Sequence, residues 1–257
     1  MADLTDLVRQ LDAELRTAEV PDYDVALNGL QLANSGRVTK IAAAVDFSRN
    51  TVVGAVREGA NLLVVHHGMY WDGARPLVGI AYDRLLAAVT ADLAVYSSHI
   101  PLDLHPTLGN NALLARELKL TVSGTFGRYK DVEIGVSGSG ALPTKTLLER
   151  VRAVSARFAT TAVSTPFADD RVTQRWAIVT GAGASPGTLA EARTRGVDTL
   201  IVGEGAHHTA VEAMEHGLVV MYAGHYATET FGVQALAQLA AERFGIPWVF
   251  VDVPTGL

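Results

Sequence analysis

The residues of this chain that could bind metal ions lie just after short apolar segments. His66 and His67 follow one such segment directly, and Asp103, His225 and Glu229 follow two later ones. Imidazole nitrogens and carboxylate oxygens are ligands for zinc, iron and manganese. Five such groups exceed the three or four that one tetrahedral ion takes, so they fit a pair of metals better. The pattern therefore predicts a two-metal centre.

A histidine followed four residues later by an acid occurs twice, each time past a strand-like run. His99 precedes Asp103, and His225 precedes Glu229. The two halves of the chain are also similar over a longer strand-and-turn segment. This favours an internal duplication, although α/β units share such composition in any case. His99 is our candidate catalytic residue. It could transfer protons or orient a ligand, with a purely structural hydrogen bond as the alternative.

The remaining histidines have simpler interpretations. His207 and His208 could face the same cavity as the metal ligands, or they could simply begin a helix. His105 suits a solvated turn. His216 suits the C-terminus of a helix, where a cation is favourable.

Alternating strands and helices must position these residues. Short runs rich in Val, Ile and Leu predict buried strands, and the segments between them have helical spacing. Ser48 suits a helix N-cap, and Pro106, Pro143 and Pro186 suit a first helical turn. The carboxyl ends of parallel strands meet at one sheet edge, which is where ligands bind in such folds. The predicted strands are 40–45, 61–65, 93–96, 132–136, 176–180, 198–202, 218–222 and 248–251, and the predicted helices are 48–58, 79–89, 106–118, 143–157, 186–195, 207–216 and 228–244.

This alternation predicts an α/β fold with two similar three-layer domains and mostly parallel sheets. A stretch containing Gly, Ser, Thr and Lys at 120–131 separates the halves. We expect the first domain to span 1–124, completed by 226–257, and the second to span 125–225.

Composition narrows the function classes. The formal net charge is −6 without a Lys/Arg cluster, which argues against a nucleic-acid groove or an anionic membrane surface as the primary partner. No apolar stretch approaches the roughly 20 residues that span a bilayer, and the acidic N-terminus is unlike a signal peptide. We therefore expect a cytoplasmic protein. The chain has 0 cysteines, so any metal must be held by His, Asp and Glu.

A weaker pattern points to a different ligand. Gly181 and Gly183 follow the predicted strand 176–180, and Glu204 lies near the end of the next strand. Such spacing is typical of loops that cradle a dinucleotide or another phosphate. The third glycine of that fingerprint is absent, so nicotinamide or flavin binding has little support.

Several short motifs occur together and in an order that is specific to one family. They are Asn28-Gly-Leu-Gln31, Ala44-Val-Asp46, Val64-Val-His-His-Gly68, Ser98-His-Ile-Pro-Leu-Asp103, Gly109-Asn-Asn111, Gly203-Glu204 and Ala223-Gly-His-Tyr-Ala-Thr-Glu229. With these motifs the chain resembles, over about residues 1–257, the Nif-three-like dinuclear metal-centre family. Many members of that family are named GTP cyclohydrolase I type 2 homologs.

The resemblance implies a Nif-three-like fold and a toroidal homohexamer, a trimer of dimers, with two-metal sites facing an internal cavity. It assigns the metal ligands to the same five residues that their positions indicate. Two departures are visible. The chain has no space for the extra domain that longer members insert between the halves. Gly68 also stands where the family often has proline, which bears on substrate shape.

Together these features predict a hydrolase that uses two divalent ions, Zn, Fe or Mn, to act on a small polar substrate. Nucleotides such as GTP, or other phosphate compounds, are the leading candidates. Helices that begin near Pro106 and Thr228 would offer amide donors to an anionic substrate. The alternative is a hexameric metal-binding protein without catalysis, acting as a metal carrier or an interaction scaffold.

Overall fold

The chain contains strands and helices over its whole length, and the computed structural model describes residues 1–257. The strands are β1 (Ala2–Asp3), β2 (Gly29–Leu32), β3 (Arg37–Val38), β4 (Ile41–Asp46), β5 (Leu62–His67), β6 (Ala94–Ser97), β7 (Gly124–Tyr129), β8 (Val132–Pro143), β9 (Val163–Ser164), β10 (Val172–Val179), β11 (Thr199–Val202), β12 (Val219–Tyr222) and β13 (Trp248–Phe250). The helices are α1 (Leu4–Leu15), α2 (Arg49–Arg57), α3 (Ile80–Thr90), α4 (Ile100–Asp103), α5 (Asn110–Glu117), α6 (Thr144–Ala156), α7 (Pro186–Thr194), α8 (His207–Glu215) and α9 (His225–Phe244). These elements confirm the predicted α/β class.

Two compact units divide the chain. The first consists of residues 1–105 and 232–253, and the second of residues 106–231 and 254–257. The predicted division, 1–124 with 226–257 against 125–225, has the same interleaved order but different boundaries. One reason is that α5 belongs to the second unit, because Leu114 and Leu118 pack in the apolar core around Trp176.

A five-stranded sheet forms the centre of the first unit, in the order β13-β4-β5-β6-β2. Its pairings are parallel except for the edge strand β2, which runs antiparallel to β6. All residues of the central strand β5 are buried, as expected for a parallel strand covered on both faces. Helices α2 and α3 pack on one face through residues such as Val52 and Ala88. Helix α1 packs on the other, where the Tyr96 hydroxyl donates to Asp12 Oδ1 over 2.9 Å.

A six-stranded sheet forms the centre of the second unit, in the order β7-β8-β10-β11-β12-β9. Strands β10, β11 and β12 are parallel, and the outer pairings are antiparallel. Trp176 and Ile178 of β10 pack toward α6, whereas Ala177 and Val179 pack toward α7 and α8. Helices on both faces give the predicted three-layer arrangement. This sheet is mixed, however, and not mostly parallel.

The hairpin of β7 and β8 is a feature that the hydrophobic pattern does not indicate. The sequence predicts a separating stretch at 120–131, but the structure has β7 there, paired antiparallel with β8. Only Phe126 and Gly127 of β7 are buried. A strand this polar lacks the alternation or the apolar run on which strand prediction depends.

Two helices begin elsewhere than predicted. Residues 106–109 form a turn and bend, so α5 begins at Asn110, and α9 begins at His225 and not at Thr228. The expectation of helix ends near Pro106 and Thr228 is therefore corrected. The earlier start of α9 places His225 and Glu229 one turn apart on one face of the same helix. None of the helices combines the length and apolar composition that crossing a bilayer requires.

Candidate metal centre

The paired imidazoles lie at the carboxyl end of β5, in the middle of the first sheet. Their ring centroids are 4.8 Å apart. His66 Nδ1 lies 2.9 Å from the carbonyl oxygen of Ser98, and His67 Nδ1 lies 2.9 Å from Asp46 Oδ1. A carbonyl oxygen can only accept, and an ionised carboxylate can only accept, so Nδ1 of each ring carries the proton. Nε2 then holds the lone pair that a metal ion requires.

Asp103 reaches the same group from the short helix α4. Its Oδ2 atom lies 3.6 Å from His66 Nε2. Pro101 in the first turn of α4 suits this tight helix because proline has no backbone N–H to leave unsatisfied. Within the first unit, a carboxylate oxygen therefore approaches the ring nitrogen that His66 offers.

His99, at the N-cap of α4, completes a group of three imidazoles. One ring nitrogen from each of His66, His67 and His99 lies within 4.8 Å of the others. His99 Nδ1 is 2.9 Å from Asp22 Oδ1, and its backbone N–H donates to Asn28 Oδ1 over 2.8 Å. His99 thus has the same carboxylate-oriented arrangement as His67.

Asp22 is held in its ionised form although it is largely buried. Burial raises the pKa of its carboxyl group, but the hydrogen bond and charge of His99, together with a hydrogen bond from Asn28, outweigh burial and hold this pKa below its ordinary value. The Asn28 amide donates to Asp22 Oδ2 over 2.8 Å. A fixed carboxylate of this kind keeps the His99 ring in one orientation.

His225 and Glu229 form the corresponding pair in the second unit. His225 Nε2 lies 3.1 Å from Glu229 Oε2, and His225 Nδ1 lies 2.8 Å from Glu204 Oε1. Burial lowers the pKa of His225, but hydrogen bonds and charges from Glu229 and Glu204 prevail and raise it to about 9. The two acids therefore favour positive charge at this position, and a divalent ion on Nε2 would supply that charge in place of a proton.

Two glycines make room for the Glu229 carboxylate. Gly181 has φ of +62°, and a Cβ atom there would overlap Glu229 Oε1. A Cβ at Gly203 would overlap the carbonyl oxygen of Gly181 and the hydroxyl of Thr228. The Gly181 N–H donates to Thr228 Oγ1 over 3.1 Å. In the glycine spacing that resembles a phosphate loop, Gly181 thus leaves space for Glu229, whereas a Cβ at Gly183 would overlap the carbonyl oxygen of Val179.

The donor groups of each unit have the chemistry of divalent metal ligands. Three imidazoles, those of His66, His67 and His225, have Nδ1 fixed by an oxygen acceptor, the arrangement common to histidine ligands of zinc and iron. Carboxylates accompany them: Glu229 is buried and only 3% exposed, and Asp103 is partly buried. The residues present fit divalent ions.

The other histidines lie outside these groups. His207 and His208 are exposed in the first turn of α8, and His216 is the exposed C-cap of the same helix. His105 Nε2 lies 3.4 Å from Glu14 Oε1, with the His105 side chain only 13% exposed. The interpretation of His105 as a solvated turn residue is therefore wrong, because it packs against α1.

From the sequence alone, four residues that orient the imidazoles are not expected at the metal centre: Asp22, Asp46, Ser98 and Glu204. The sequence could have indicated Asp46, because this residue ends the strand next to β5 and pairs with His67 in the strand register. Glu204 and Ser98 occur in family motifs and also follow strands. Asp22 offers no such signal, because it precedes β2 in a loop far along the chain from His99.

Replacing Gly181 by Ala tests this packing. Alanine in this left-handed conformation should lower the free energy of unfolding by about 1 kcal/mol, and its overlap with Glu229 by a further ~1–3 kcal/mol. Gly217→Ala is the matched control, because its φ is +67° and nothing lies within 4 Å of an added Cβ. Urea unfolding should show the larger loss for Gly181→Ala. Equal losses would contradict the role assigned to Gly181.

Comparison with known proteins shows the family of this chain. The family model for Duf34/NIF3 (NGG1p interacting factor 3) matches residues 2–255. A protein of Deinococcus radiodurans named GTP cyclohydrolase 1 type 2 homolog is 41% identical over 254 residues, covering 98% of this chain and 94% of the relative. The solved structure of protein ybgI, of unknown function, has a TM-score of 0.88 at 33% identity, and that of TTHA1606 from Thermus thermophilus has 0.84 at 36%, each covering 100% of both chains. These similarities confirm the resemblance, and the chain belongs to the Duf34/NIF3 family.

Proposed function

We propose that this protein is a metal-dependent hydrolase in which His66, His67, Asp103, His225 and Glu229 hold two divalent ions. One observation carries the proposal: Nδ1 of each of the three histidines faces an oxygen acceptor at 2.8–2.9 Å. Such hydrogen bonds orient the rings and make Nε2 a better ligand. Zn, Fe and Mn all accept this set of nitrogen and oxygen donors.

Bound in pairs, such ions supply a water nucleophile at neutral pH and polarise an oxygen of the substrate. The chain itself supplies binding and proton transfer. His99 Nδ1–H donates to Asp22 Oδ1, so Nε2 can accept a proton from the attacking water and return it to the leaving group. The rings of Trp71 and Tyr23 lie 6.2 Å and 5.3 Å from the His99 ring, and they limit the access of bulk water to it.

We propose small polar substrates, with nucleotides such as GTP as the first class to test. The name of the Deinococcus radiodurans relative, GTP cyclohydrolase 1 type 2 homolog, supports that choice. Bound dications support it as well, because they would attract phosphate oxygens directly, whatever the net charge of the chain.

Metal content is the direct test of the ligand assignment. Protein purified without chelator should contain close to two divalent ions per chain by elemental analysis. Asp103→Ala and His225→Ala should each lower that number to about one or fewer, because each removes a ligand. His216→Ala is the control, since His216 is exposed on α8 and its loss should leave the metal content unchanged. A similar metal content in all four proteins would rule out the assignment.

Activity is tested with GTP and other nucleotides, with and without chelator. Chelation should abolish turnover, and Zn, Mn or Fe should restore it. His99→Gln should lower kcat by roughly 10²–10⁴-fold and alter the pH profile while the metals stay bound. His216→Gln again serves as the control.

Two outcomes would contradict the hydrolase proposal. Turnover that survives both metal removal and Glu229→Ala would show that the chemistry lies elsewhere. Bound metal without turnover of any nucleotide, cyclic amide or phosphoester would favour the non-catalytic carrier or scaffold.

We further propose a closed homohexamer, a trimer of dimers. Exposed apolar side chains on α3 support an interface, since Tyr82, Leu86 and Val89 recur at helical spacing and are 52%, 48% and 56% exposed. Light scattering at micromolar concentration should give about six times the chain mass of 27.2 kDa. A measured mass equal to that of one chain would contradict the hexamer.

A further inference from the structure

A pocket of about 240 Å³ lies beside His67 within the first unit. Its lining includes Asp46, Phe47, His67, Trp71, Arg75 and Arg84. The pocket thus combines a candidate metal ligand, aromatic rings and two guanidinium groups. The ring of Trp71 lies 5.2 Å from the ring of His67, so the aromatic wall and the metal ligand are in contact.

Arg84 is the unusual member of this lining. Its guanidinium group lies 4.6 Å from the centre of the Phe47 ring, and Nη1 donates to the Phe47 carbonyl oxygen over 2.7 Å. Nε is buried and has no hydrogen-bond partner. A guanidinium has five N–H donors, and no carboxylate pairs with this one. Arg84 is therefore held rigidly but remains electrostatically uncompensated.

The two acids that line the pocket have other partners. Asp72 forms an ion pair with Arg75, and Asp46 Oδ1 lies 2.9 Å from His67 Nδ1. Burial lowers the pKa of Arg84, which reflects the cost of keeping its charge away from water. A partly buried charge of this kind is stabilised by an oppositely charged group.

We propose that Arg84 binds an anionic oxygen group of the substrate, a phosphate or a carboxylate, in the pocket beside His67. The word substrate here rests on the hydrolase function proposed above. The backbone supports the geometry, because the Phe47 N–H donates to the His67 carbonyl oxygen over 2.8 Å. Phe47 therefore contacts the guanidinium group of Arg84 and also hydrogen-bonds to the backbone of His67 in β5.

The size of the pocket limits what it can hold. Pockets for drug-sized ligands span roughly 300–1,000 Å³, so 240 Å³ is too small for a whole nucleoside triphosphate. The pocket suits one phosphoryl or carboxylate group of a substrate, with part of a substrate ring packed against Trp71. Arg75 lies at the exposed edge of the pocket, where its side chain is 74% exposed. It can contact the part of a larger ligand that extends out of the pocket.

Calorimetry with inorganic phosphate tests the assignment on the full chain, both as purified and after chelation. In the chelated protein the metals cannot contribute, so saturable phosphate binding there would be due to the side chains of the pocket. Arg84→Met should weaken phosphate binding about tenfold or more, because a hydrogen bond to a charged group contributes about 1.5–3 kcal/mol. Arg84→Lys keeps the charge but loses the planar fork, and it should give an intermediate affinity.

Arg57→Met is the matched control. It removes the same charge from an exposed position on α2 in the same unit, and it should leave phosphate affinity unchanged. Acetate, titrated in parallel, shows which of the two anion types the pocket prefers. Equal phosphate affinities for Arg84→Met and Arg57→Met would overturn the proposal, as would chelated wild-type protein that binds neither anion. Circular dichroism of each variant establishes that it is folded.

Elemental analysis of the same samples separates this inference from the proposed function. Arg84-dependent phosphate binding in a protein that never holds metal would support the anion subsite and contradict the hydrolase. Two bound metals, together with phosphate binding that does not depend on Arg84, would support the hydrolase and contradict the anion subsite.

Discussion

The hydrogen bond from imidazole Nδ1 to a fixed oxygen is the interaction on which the candidate centre depends. It selects the tautomer in which Nε2 can bind a metal ion, and it holds the ring plane. In the first unit the parallel sheet delivers these acceptors. Asp46 ends β4 directly opposite His67, and Ser98 follows β6, the strand on the other side of β5. In the second unit Glu204, just past β11, does the same for His225.

Around the charged groups of the candidate centre, hydrogen bonds and opposite charges offset the cost of burial. Asp22 stays ionised because His99 and Asn28 donate to it, and His225 attracts a proton because two acids flank it. Glycine provides space where a carboxylate must pack closely, as Gly181 does for Glu229. Arg84 departs from this balance, since its charge has an aromatic and a carbonyl neighbour but no anion. An imbalance at one position, among groups that are otherwise paired, points to a ligand.

Hydrophobic pattern and residue type were sufficient to predict most of the positioning framework. Apolar runs such as the one before His66 identify buried strands, and the position of each candidate ligand past a strand brings it to a sheet edge. The pattern could not predict β7, because only Phe126 and Gly127 of that strand are buried. Nor could it predict the boundary between the units, which depends on where Leu114 and Leu118 pack. The partnership of Asp22 with His99 joins residues distant in the sequence, and only the folded chain reveals it.

The candidate ligands of the two units are carried by elements of different local stability. His66 and His67 end a central strand whose residues are all buried, so freeing their backbone requires breaking the sheet. His225 occupies the first position of α9, and helix ends fray far more readily than sheet centres. Hydrogen exchange at the amides of His66 and His67 would then be slow, with faster exchange at the start of α9. The candidate ligands at the start of α9 would then be freed more readily than His66 and His67.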